Sequence, residues 1–90
     1  MFNNSPLGPK MSQVIQRLPA VLRVRARSRS AHYLDIQQGL FTPPVQIGAR
    51  AVGWPASEAE AINAARIAGK SDEEVRALVT KLLAARQSAS

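Results

Sequence analysis

Ninety residues with a net charge of +6 and no cysteine suffice for one small domain, and they exclude disulfides, thiolate catalysis and zinc–thiolate sites. Large apolar side chains are few, with Phe2, Tyr33, Phe41 and Trp54 the only aromatic ones, so the core must be small. The charge is lopsided: residues 17–50 hold Arg17, Arg23, Arg25, Arg27, Arg29 and Arg50 against Asp35 alone, whereas residues 51–90 hold five basic and five acidic groups. Positive charge concentrated in this way fits a polyanion partner, because each neutralised phosphate releases counterions.

Residues 1–12 contain Asn-Asn, Ser-Pro and Gly-Pro and no apolar periodicity, which predicts a flexible arm. MFNNSPLGPK lacks the apolar stretch of a signal peptide, and no apolar run reaches membrane-spanning length. A soluble cytoplasmic protein is expected.

Next comes a helix from Pro19 to about residue 25, since proline is tolerated in a first turn. A second helix opens after Ser28 or Ser30, either of which can cap it, and Gly39 supplies a left-handed end. The alternating arginines of RVRARSRS, residues 23–30, therefore straddle two helices and their period of two is accidental. Pro43-Pro44 forbids helix. Val45 and Ile47, then Val52 and Trp54, alternate around Gly48-Ala49-Arg50-Ala51, a short β-hairpin with Arg50 at its tip.

Ser57–Glu60 and Ser71–Glu74 both fit the S-x-x-E capping box and predict two further helices, the first stopping at Gly69. In the last helix Val75, Leu78, Val79, Leu82 and Leu83 fall at i, i+3, i+4, i+7 and i+8. That stripe either folds back on the domain or meets a second copy or another protein. The expected class is mainly α with a small β-hairpin. A winged helix–turn–helix over residues 13–69 is followed by a C-terminal amphipathic helix over residues 70–90.

Arg17-Leu18-Pro19, Val21-Leu22-Arg23, Ser28-Arg29-Ser30, Tyr33, Gly39, Phe41, Pro44-Val45, Gly48, Arg50 and Gly53-Trp54 fall without gaps in a known spacing. The chain resembles the AlpA family of phage and prophage regulators, relatives of MerR-like and excisionase DNA-binding domains, over residues 17 to about 67. The resemblance implies a winged helix–turn–helix, bacterial or phage origin, DNA binding and control of prophage or mobile-element genes. Five positions depart from the pattern. Ala26-Arg27 replace a glycine and an apolar residue in the turn, Leu34-Asp35 replace a basic and an apolar residue, and Thr42 replaces a proline.

The second helix is expected in the major groove and the hairpin on the flanking backbone. The candidate contacts are Arg25, Arg27, Ser28, Arg29, Ser30, His32, Tyr33, Gln37 and Arg50. For His32 two readings stay open, facing bases or packing inside. Tyr33 is either core or a phosphate contact. Val75, Leu78, Val79, Leu82 and Leu83 are the candidate partner or dimer face. Capping explains most of the carboxylates, and no Ser/His/Asp arrangement, phosphate loop or metal spacing is present, so no enzyme, metal or cofactor is expected. The expected partner is double-stranded DNA, with RNA polymerase, an integrase or a second copy as further possibilities. Three roles follow: an activator or antiterminator, an excisionase-like factor that bends DNA, or more remotely an RNA-binding or protein-interaction module.

Overall fold

The computed structural model describes residues 14–89, and the expected N-terminal arm lies outside them. Strand β1 (Ile15–Gln16) leads into helix α1 (Leu18–Arg25), with Pro19 in its first turn. Helix α2 (Arg29–Gln37) starts directly after Ser28. Strands β2 (Val45–Gln46) and β3 (Val52–Pro55) form the hairpin, and helices α3 (Ala56–Ile67) and α4 (Asp72–Ala89) complete the chain. The architecture is a winged helix–turn–helix carrying a C-terminal amphipathic helix.

The wing has one strand more than the hairpin expected from the sequence. β1 pairs antiparallel with β3, Gln16 opposite Trp54, so the order is β1-β3-β2. Two residues are too few to show an alternating pattern, which hides β1 from sequence reading. Gly53 makes the pairing possible, because a Cβ there would lie 2.5 Å from Ile15 Cγ2 and 2.9 Å from the Gln16 carbonyl oxygen.

The two expected capping boxes part company. Ser71 and Glu74 form theirs, the Glu74 amide donating to Ser71 Oγ and the Ser71 amide to Glu74 Oε1. The Ser57–Glu60 box is not formed, since α3 begins at Ala56 with Pro55 as its cap. Pairing of the chain through the Ala56 amide, 2.7 Å from the Val14 carbonyl oxygen, fixes the helix start ahead of Ser57. Glu60 is exposed, and Glu58 turns inward.

One core joins the four helices and β3. Val21, Phe41, Trp54, Ala59 and Ile62 are buried together with Val75 and Val79 of α4, and Leu78, Leu82 and Leu83 pack partly buried against them. The α4 stripe thus follows the fold-back reading, and the buried Val75 and Val79 offer no surface to a partner. Arg86 fastens the far end of α4. Its guanidinium donates to Glu58 at 2.7 and 2.8 Å and to the Pro43 carbonyl oxygen at 2.7 Å. No helix among the described residues is long and apolar enough to cross a membrane.

Candidate nucleic-acid interface

The α1–α2 corner is set by backbone chemistry. Helix α1 ends with the Ala26 amide bonded to the Arg23 carbonyl and the Arg27 amide to the Leu22 carbonyl. Gly39 after α2 and Gly69 after α3, each with the amide that follows it, close their helices by the same pair of hydrogen bonds, and all three residues have positive φ. Glycine takes that conformation freely, but alanine does so at a cost of roughly 1–2 kcal/mol. Ala26, with φ of 54°, is therefore held in a strained turn by its surroundings.

Those surroundings are a buried charge cluster. The Asp35 carboxylate accepts from Arg25 Nη2 at 2.8 Å, from Arg27 Nη2 at 2.8 Å and from Arg27 Nε at 3.1 Å. The Arg25 and Asp35 side chains are 4% and 6% exposed, whereas Arg27 is 42% exposed. Arg25 also sits 4.0 Å over the Phe41 ring and donates from Nη1 to His32 Nδ1 at 2.8 Å. Because Arg25 can only donate, His32 is the neutral tautomer with its proton on Nε2.

Burial lowers the His32 pKa to about 4, and the adjacent Arg25 charge pushes the same way. Burial alone would raise the Asp35 carboxyl, but the hydrogen bonds and charges of the two arginines outweigh it and hold Asp35 below its ordinary value.

Arg25, expected as a DNA contact, instead lies inside, paired with Asp35. Of the two readings of His32 the structure takes packing inside, with Nδ1 bonded to Arg25 and Nε2 buried without a hydrogen-bond partner. The His32 ring is 4.9 Å from Trp54 and 5.0 Å from Phe41. Arg27 stays accessible but is paired.

The opposite side of α2 is open. Arg29, Ser30, Tyr33, Leu34 and Gln37 are exposed, while His32 and Asp35 face inward. Ser28 caps the helix, its Oγ accepting from the Ala31 amide at 3.2 Å. The wing is anchored beside this helix, since the Trp54 ring lies 6.5 Å from Tyr33 and Trp54 Nε1 donates to the Thr42 carbonyl oxygen at 2.8 Å. Arg50 is exposed at the hairpin tip, where the Ile47 amide bonds the Ala51 carbonyl and Gln46 Nε2 bonds those of Gly48 and Ala49. Exposed Arg17, Arg23, Arg29 and Arg50 form no ion pair among the described residues.

A family profile described as "Prophage CP4-57 regulatory protein (AlpA)" matches residues 14–65 of this chain. The chain belongs to the AlpA family. It is also 38% identical over 65 residues, 72% of this chain and 74% of the relative, to "Uncharacterized protein ORF88" of Enterobacteria phage P4. No solved structure matches it.

The AlpA match gives the charge cluster added meaning. Two departures from the AlpA pattern, Arg27 and Asp35, are eight residues apart in sequence yet bonded to one another. They compensate each other: an apolar residue in the turn would leave Asp35 half satisfied, and an apolar residue in α2 would leave Arg25 buried without a counterion. Sequence reading missed the role of Asp35, though a signal was present in its being the sole carboxylate among six arginines. Among the described residues, no group of three His, Cys, Asp or Glu side chains could hold a metal ion.

Proposed function

We propose that this AlpA-family chain is a sequence-specific double-stranded DNA-binding regulator of prophage or mobile-element genes. The observation that carries this reading is the outward face of α2: unpaired Arg29 with Ser30, Tyr33 and Gln37, no carboxylate, and a wing bearing Arg50 alongside. A nine-residue helix is roughly 14 Å long and enters a major groove about 12 Å wide. Arg29, in the first turn, is in position to address guanine N7 and O6, and the free amides at the Ser28 cap suit a phosphate. Arg50 extends from the wing toward flanking phosphates. Bound in this way, the protein acts on transcription through RNA polymerase, as activator or antiterminator. The regulatory description of the family favours that role over excision.

The division of labour is testable on a duplex selected by the protein from a random library. Arg29→Ala is expected to cost roughly 1–3 kcal/mol and to relax selectivity at one base pair. Arg50→Ala is expected to weaken all duplexes alike and to reduce the slope of log affinity against log salt by about 1. Uniform losses from both substitutions would remove base readout from Arg29.

A further inference from the structure

Helix α2 carries an apolar group that its own fold leaves in water. Leu34 is 49% exposed on the outward face, one helical turn from both Ser30 and Gln37. Tyr33, the other large apolar group there, has ring contacts with His32 at 5.4 Å and Trp54 at 6.5 Å that turn it toward the wing. Leu34 has no such anchor.

Its surroundings identify the occupant. The only carboxylate of residues 17–50, Asp35, faces inward, and Arg29 on the same helix is unpaired, so the face favours a polyanion over a basic or neutral surface. A leucine can neither donate nor accept a hydrogen bond, so it does not read the N7, O6 or amino groups of a base pair. The apolar feature a major groove presents is the 5-methyl group of thymine. We propose that Leu34 is a specificity-determining residue that packs against a thymine 5-methyl group, an inference that rests on the DNA-binding reading above.

Deoxyuridine differs from thymidine by that methyl group alone, which permits a direct test. The duplex selected by the full chain is synthesised with each thymine replaced singly by deoxyuridine. The expected result is about fourfold weaker binding at one or two positions, the value for burying one methyl group, and no change elsewhere. Leu34→Ala should bind the thymine and deoxyuridine duplexes equally well. A selected core without thymine, small equal losses at every thymine, or a deoxyuridine effect that persists in Leu34→Ala would each overturn the assignment while leaving DNA binding intact. Failure to select any duplex would overturn the DNA-binding reading itself, and the assignment with it.

Discussion

Replacing Asp35 with alanine is expected to destabilise the fold by about 3–5 kcal/mol, the range for removing one partner of a buried ion pair. The carboxylate is 6% exposed and its removal leaves the Arg25 guanidinium, 4% exposed, with His32 Nδ1 and the Phe41 ring as its remaining contacts. Neither carries a negative charge. Arg27→Ala should cost less, about 1–3 kcal/mol, because Arg27 is itself 42% exposed but its loss leaves the buried Asp35 Oδ1 without a partner. Urea unfolding of the two variants separates these contributions. Equal losses would mean that the buried Arg25–Asp35 contact is not what holds the corner.

The same cluster fixes where α2 points, because Asp35 belongs to α2 and its partners to the end of α1 and the turn. Asp35→Asn, which keeps one acceptor oxygen, should therefore retain more DNA affinity than Asp35→Ala at temperatures where both are folded.

Acid is expected to destabilise the protein before the carboxylates titrate. His32 is neutral in the fold, with its pKa lowered from 6.5 to about 4, and protonates readily once unfolded. Between those values the unfolded chain binds more protons, so stability falls as pH falls, by about 2–3 kcal/mol between pH 7 and 4.5. Asp35 and Glu74 are held below their ordinary values of 3.8 and 4.5, so their contributions are full near pH 7 and begin to decline only at the acid end of that window, Glu74 first.

Urea midpoints at pH 7 and pH 4.5 measure the effect. His32→Phe should be less stable at pH 7, having lost the Arg25 bond, but should show a much flatter pH dependence. A wild-type midpoint that does not move over this range would contradict the burial of a neutral imidazole.

Local signals carried most of the fold. Pro19, Ser28 and Gly39 mark helix ends because capping involves residues within one turn, and the Val45–Trp54 alternation marks a hairpin because its partners are close in sequence. The same logic failed at Ser57–Glu60, where the capping chemistry was available but pairing with Val14 set the helix start. Glu58, grouped with the carboxylates that favour a helix start, is instead the buried partner of Arg86, 28 positions away. No local pattern announces such a contact.

The candidate site divides along similar lines. Arg29, Ser30, Gln37 and Arg50 stay on the surface where spacing and resemblance put them, and Tyr33, open between core and surface in the sequence, is 37% exposed. Arg25 and Arg27 read as basic surface groups only while their counterion is unknown. Once Asp35 lies between the two arginines, the outward charge of the corner falls to Arg23 and Arg29. Leu34 was legible only as a departure from the AlpA pattern, because its significance depends on being exposed.

Central to this account is that the outward face of α2 reads bases rather than merely attracting phosphate. The most direct measurement is selection from a random duplex library, followed by binding of the enriched and scrambled duplexes at two salt concentrations. The predicted result is a discrete enriched motif whose preference over scrambled DNA persists at the higher salt. Salt-sensitive binding with no enriched motif would contradict it.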